Sequence, residues 1–132
     1  MNKINETIIV IPVKNNATLV DKTIEVITRI LVRLIRDSQI SPQSRMLFIN
    51  DGSDDATWNL LQEAENSNVY VNAINLRHSI GHSEAHTFGE VIAATIADLV
   101  LHVDIDALDP IEIVEDIKIF NLLSTNSIKQ IV

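Results

Sequence analysis

The sequence contains no cysteine. Disulfides, thiolate metal ligands and a thiol nucleophile are therefore excluded, and the chain is compatible with a reducing cytoplasm. Glycine is nearly as scarce, with Gly52, Gly81 and Gly89 the only three in 132 residues. They cannot make a G-x-G-x-x-G turn or a Walker loop, so the usual dinucleotide and P-loop sites are ruled out. A basic footprint is also missing. Ten Lys and Arg against 18 Asp and Glu leave a formal charge of −8, which argues against a nucleic-acid backbone or an anionic membrane as the main partner. A phosphate ligand would need a metal, helix N-termini or local bases to offset that charge. The apolar run at 8–13 is broken by Pro12 and is too short for a signal h-region or a spanning helix. No G-x-S-x-G elbow occurs, so serine hydrolysis lacks support.

What remains is an ordinary globular composition, 46% hydrophobic and 21% charged, with no repeat, linker or low-complexity tract. One domain over 1–132 is expected. Residues 7–13 form a continuous β-branched run, and Val20, Ile24, Ile27, Leu31, Leu34 and Ile35 then recur at helical spacing. Residues 46–49 predict a second strand, followed by a short helix carrying Trp58, Leu61 and Ala64, with Asp54 or Asp55 as its cap. A third strand is expected at 69–76, a loop at 77–81, a helix capped by Ser83 and running to about Ala97, and a fourth strand at 99–103. The last helix opens with a capping box: Asp109 at N-cap, Pro110 at N1, Glu112 at N3, and a buried stripe of Ile113, Ile117 and Phe120. Residues 127–132 resemble a fifth strand. Strands alternating with helices imply an α/β fold, a mostly parallel sheet with helices on both faces.

Two acidic turns close apolar strands. Asp104 and Asp106 follow the fourth strand, and Asn50-Asp51-Gly52-Ser53-Asp54-Asp55 follows the second. Ligands of open α/β sheets bind outside the carboxyl ends of strands, where paired carboxylates can hold a hard divalent cation against a phosphate. Asp54, Asp55 and Asp109 are assigned to helix capping. Asp104 and Asp106 are not needed as caps and are expected to point the same way. His82 and His86 are four apart, with His78 before and His102 on the next strand, but Glu84 between them matches neither H-E-x-x-H nor H-x-x-E-H. They are taken as solvated polar-face histidines near a ligand loop.

The order of these segments resembles the family 2 glycosyltransferases of GT-A fold. The matching stretches are Ile11-Pro12-Val13-Lys14-Asn15-Asn16, Asn50-Asp51-Gly52-Ser53-Asp54, Ser79-Ile80-Gly81, and Asp104-Ile105-Asp106-Ala107-Leu108-Asp109-Pro110. Gly81, Ala85 and Gly89, four apart, look most like the branch transferring sugars to dolichyl or polyprenyl phosphate. The resemblance implies a Rossmann-like nucleotide-diphospho-sugar domain. Its nucleotide set falls on Pro12, Val13, Asn15, Asp51, Gly52, Asp104 and Ile105, and its metal, Mg²⁺ or Mn²⁺, on Asp104 and Asp106. The expected partner is a UDP- or GDP-sugar, with a polyprenyl phosphate or a glycan as acceptor.

The pattern also departs from the family. Lys14 and Asn16 stand where an aromatic and an acid are common, Asn50 replaces the first acid of D-D-G-S, and Ser79 replaces the loop asparagine. The chain ends where the family's acceptor half begins, so it is expected to be a donor half, inactive in transfer by itself. A homo-oligomer or partner chain is expected at its C-terminal edge, near Ile128 and Ile131, and the location is expected to be cytoplasmic or peripheral to a membrane. A catalytically inactive nucleotide-sugar-binding or regulatory module of the same fold is the alternative. A receiver-like signalling domain is disfavoured, because Pro12-Val13-Lys14-Asn15 occupies the place of its acidic pair.

Overall fold

A computed structural model describes residues 4–124. In chain order the elements are β1 (Thr7–Val13), α1 (Ala17–Arg36), β2 (Arg45–Asp51), α2 (Thr57–Ser67), β3 (Val71–Leu76), α3 (His82–Ala94), β4 (Leu99–His102), a 3-10 turn (Ile105–Ala107) and α4 (Pro110–Leu123). The four strands are all parallel, in the order β3-β2-β1-β4. β1 is buried at every position, which is why its sequence is apolar throughout instead of alternating.

Successive β1 side chains face opposite sides of the sheet. Ile9, Ile11 and Val13 pack with Val20, Ile24, Ile27 and Leu31 of α1, Leu61 of α2, and Ile113 and Ile117 of α4. Ile8 and Val10 join Leu47 and Ile49 on the other side, against Ala85 and Ala93 of α3. Helices therefore cover both faces, three on one and α3 on the other. The chain steps from β1 outward to β3, then returns through α3 to place β4 on the opposite side of β1. The strand order reverses at β1, and ligands of open α/β sheets sit outside the strand ends at such a reversal.

Several element boundaries differ from the sequence reading for local reasons. β3 starts at Val71 because Asn68 Oδ1 accepts from the Tyr70 amide and holds a turn before it. α3 ends at Ala94, where the Thr95 hydroxyl and amide both turn back to the Ile92 carbonyl. Its N-cap is Gly81, at φ +104°, and Ser83 lies inside the helix instead of capping it. Asp55 sits one residue before the N-cap position of α2, yet its Oδ1 accepts from the Thr57 amide at 3.0 Å and its Oδ2 from the Ala17 amide at 3.2 Å. One carboxylate thus serves the first turns of two helices. Asp109 caps α4 as expected, accepting from the Ile111 and Glu112 amides, while Phe120 is only half-buried. The expected strand at 127–132, with Ile128 and Ile131, lies outside the described residues. No helix among the described residues is long and apolar enough to cross a membrane.

α3 meets the sheet through small residues. A Cβ on Gly89 would collide with Val10 Cγ1 and come within 3.2 Å of Ile49 Cγ1. Helix propensity alone would make Gly89→Ala stabilising by about 1 kcal/mol. Overpacking should reverse that sign and destabilise the fold by about 1–3 kcal/mol. Urea unfolding of the Gly89→Ala variant checks this: a lower midpoint at unchanged m is the expected result.

Candidate functional site

The turns after β1 and β2 are fastened to each other by polar side chains. Asn15 takes a positive φ of 54°, which Asn tolerates better than most residues. Its Oδ1 accepts from the Asp54 amide at 2.7 Å, and its own amide donates to Ser53 Oγ at 2.9 Å. The Asn16 amide donates to Thr57 Oγ1. Buried Asn50 donates through Nδ2 to Asn75 Oδ1 and accepts from Ser53 Oγ. That pair of roles needs an amide, because an ionised carboxylate can only accept.

Asp51 fixes the third wall. It is buried, and its Oδ1 accepts from the Ile80 amide at 2.6 Å. Its Oδ2 accepts from Ser79 Oγ at 2.9 Å and from the Gly81 amide at 3.1 Å. Gly52, at φ +71°, lets the 77–81 loop come close, since a Cβ there would lie 2.9 Å from the Ser79 nitrogen. Burial acts to raise the Asp51 carboxyl pKa, but the Ile80 amide, the Ser79 hydroxyl, the Gly81 amide and the Lys14 charge together hold it below its ordinary value. Three of about four lone-pair positions are used, so Asp51 can accept roughly one further hydrogen bond from a ligand.

These walls enclose a cleft of about 240 Å³ at the carboxyl ends of the strands. Of the residues expected in a site, Pro12, Val13, Asp51, Ile105 and Asp106 line it. Asn15 and Gly52 instead shape the turns that form its walls. Lys14, Asn16, Ser79, Gly81 and His82 also line the cleft. The first three stood at motif positions with unexpected side chains. The Lys14 Nζ, 3.2 Å from Ser79 Oγ, puts a cation there in an otherwise acidic chain.

Asp104 and Asp106 do not act as a parallel pair. The 3-10 turn that begins after Asp104 and contains Asp106 sends Asp106 to the cleft, while Asp104 points toward α3. Asp104 Oδ1 lies 2.6 Å from His82 Nε2 and 2.9 Å from His86 Nε2. His86 Nδ1 is 2.8 Å from His102 Nδ1, and His102 Nε2 is 2.6 Å from Glu90 Oε1. Hydrogen bonds from His86 and then His82 hold the Asp104 carboxyl below its ordinary pKa. His82 and His102 are exposed and His86 is half-buried, as expected of polar-face histidines near a ligand loop, but the three are also linked to one another, to Asp104 and to Glu90, which their sequence spacing did not suggest. Helical i,i+4 spacing puts His82 and His86 on one face, and the crossover of α3 brings that face to the end of β4.

The folded-state pKa of Asp51 lies below 3.8, so its stabilisation of the loop is complete above that value and is lost as pH falls through the lowered pKa. Hydrogen exchange at the Ile80 and Gly81 amides should accordingly stay slow from neutral pH down to about 4 and lose its protection below that. Asp51→Ala should speed exchange at both amides even at neutral pH, corresponding to about 1–3 kcal/mol of lost local protection.

No protein-family model matches the chain. In sequence it is 32% identical over 108 residues to a Bacillus subtilis (strain 168) protein named as the uncharacterized glycosyltransferase YkoT, a match covering 82% of this chain and 32% of that protein. In structure it is similar to the mannosyltransferase PcManGT from Pyrobaculum calidifontis, which was solved in complex with GDP-Man and Mn²⁺. That match has a TM-score of 0.71 at 16% identity and covers 94% of this chain and 34% of the other. The chain thus spans about a third of the length of each protein. It has the Rossmann-like α/β fold of the matching third of a glycosyltransferase, and in sequence it is similar to a protein named as one.

Proposed function

We propose that the cleft binds the nucleoside diphosphate of a sugar donor, UDP- or GDP-linked, with Mg²⁺ or Mn²⁺, as the donor half of a family 2 glycosyltransferase of the polyprenyl-phosphate branch. The observation that carries this reading is the meeting of all four matching segments in one cleft: Pro12 and Val13, Asp51, Ser79 and Gly81, and Ile105 and Asp106. A volume of about 240 Å³ suits a nucleoside better than a whole nucleotide sugar. The diphosphate and sugar would extend over the open rim toward Asp106 and Lys14.

Each residue has a physical task in this reading. Pro12 and Val13 give the base an apolar wall, and Asp51 offers its remaining acceptor position to a base or ribose donor. Lys14 contributes positive charge for the phosphates. Asp106 presents a carboxylate at the cleft that suits a hard divalent ion, while Asp104, its partner in the motif, is turned toward His82 and His86 and would have to swing back to join it. When bound, the ion supplies Lewis-acid stabilisation of the departing diphosphate. The acceptor, a polyprenyl phosphate or a glycan, would be presented at the cytoplasmic side of a membrane and held outside the third of the fold seen here. A second reading, a binding or regulatory module without turnover, is favoured by one observation: Asn50, at an acidic motif position, is spent inside the protein on Asn75 and Ser53.

Calorimetric titration of UDP and GDP, with Mn²⁺, with Mg²⁺ and with chelator, tests the proposal. A divalent ion should tighten binding of one nucleotide by roughly tenfold to a hundredfold, as expected for a charge-assisted contact of about 1.5–3 kcal/mol. Asp106→Ala should abolish that gain. Asp51→Ala should weaken binding even in chelator. Equal affinity across ions and variants, or no binding of either nucleotide, would overturn the assignment.

A further inference from the structure

We propose that His82, His86 and Asp104 form a binding site for a borderline transition-metal ion, Zn²⁺ above all, with a donor chemistry that a Mg²⁺ site lacks. Among the described residues they are the one group of three or more His, Cys, Asp or Glu whose ligand atoms converge, all within 4.8 Å of one another. Two imidazole nitrogens and a carboxylate oxygen suit Zn²⁺, Co²⁺ or Ni²⁺, and Mn²⁺ less well, whereas Mg²⁺ prefers oxygen and keeps its waters.

The geometry needs little adjustment. Ligand bonds of about 2.1 Å at tetrahedral angles place donor atoms roughly 3.4 Å apart. Asp104 Oδ1 now stands 2.6 and 2.9 Å from the two Nε2 atoms, so the three side chains must spread by about half an ångström to a full one. The Asp104 and His82 side chains are 49% and 60% exposed and free to do so. Both histidines share one helix, which fixes their separation. The outer side opens on a surface cavity of about 350 Å³, leaving a coordination position for water or a substrate oxygen.

Hydrogen placement is compatible with the same ligand set. His86 Nε2 faces the Asp104 carboxylate and His102 Nε2 faces the Glu90 carboxylate, so each of these nitrogens must donate. In neutral rings both Nδ1 atoms would then be lone pairs, yet they lie 2.8 Å apart. The contact is a hydrogen bond only if one ring carries an extra proton, or if something other than a proton occupies His86 Nε2. A metal there puts the His86 proton on Nδ1, which donates to His102 Nδ1, while His102 donates through Nε2 to Glu90. Every position is then satisfied with neutral rings. His102 becomes a positioning residue of the kind that orients metal-bound histidines.

The site shares His82 with the lining of the proposed donor cleft but does not depend on nucleotide binding. Its test therefore uses the metal alone. Chelator-stripped protein is titrated with ZnCl₂ by calorimetry, and with CoCl₂ while the visible absorption of tetrahedral Co²⁺ is followed, with no nucleotide present. The expected result is one ion per chain, the tetrahedral Co²⁺ spectrum, and no displacement by millimolar Mg²⁺. His86→Ala should lose at least about a hundredfold in Zn²⁺ affinity, and His102→Ala about tenfold to a hundredfold. His78→Ala, outside the cluster, should bind as wild type. Thermal melting in chelator shows whether each variant is folded, and His82→Ala repeats the test at the most exposed ligand. No Zn²⁺ uptake by wild type, or uptake unchanged in both His82→Ala and His86→Ala, would overturn the site. Failure of nucleotides to bind would not touch it.

Discussion

α3 can lie against β1 and β2 only because it offers them Ala85, Gly89 and Ala93 in place of larger side chains. The other helices reach the sheet through Ile and Leu, at the ordinary spacing that such side chains impose. The close approach of α3 brings its first turn to the strand ends, with Gly81 and His82 in the cleft wall and His86 beside the end of β4. Moving this helix outward by the width of a methyl group would displace the 77–81 loop and the histidines together.

The polar contacts then hold what packing has brought near. Asp51 gathers the 79–81 loop, Asn15 and Ser53 join the first two turns, and Asp55 ties the starts of α1 and α2. These are mostly side chain to backbone bonds, so they fix the path of the loops as well as their composition. Much of the polar capacity at the rim is used in building the rim, with Lys14, Asp106 and the last acceptor position of Asp51 left at the cleft.

Most of the fold was visible in residue patterns, because burial writes itself directly into them. The β-branched run at Thr7–Val13 coincides with β1, the apolar spacing from Val20 to Leu34 gives α1, and Asp109-Pro110 marks the start of α4. The fold class followed from the alternation. Features that depend on which distant segments meet were not visible. His82, His86, His102 and Glu90 join only through the crossover between α3 and β4, and isolated histidines carry no sign of it. The divergence of Asp104 from Asp106 comes from one 3-10 turn that a D-x-D spacing cannot reveal. Asn15 was legible as a motif residue, but its work on the Asp54 amide follows from a positive φ that only the folded chain displays.

β4 differs from its neighbour in one respect that governs when the site exists. β1 is buried at seven of seven positions, whereas β4 has four residues, three half-buried and one exposed. Its amino end is also joined to β1 across a sequence separation of 92 residues, against 37 for the tie from Thr7 to Ser44 before β2. The added loop-closure entropy is under about 1 kcal/mol, so the meagre burial of β4, more than the distance it spans, makes it the weakly held strand. Fluctuations that peel it from β1 would carry Asp104 away from α3, and Ile105 and Asp106 with it, while leaving the Pro12, Val13 and Asp51 side of the cleft standing. An ion bridging α3 to the end of β4 would work as a clasp on this margin, so that order in the sheet and occupancy of the site would rise and fall together.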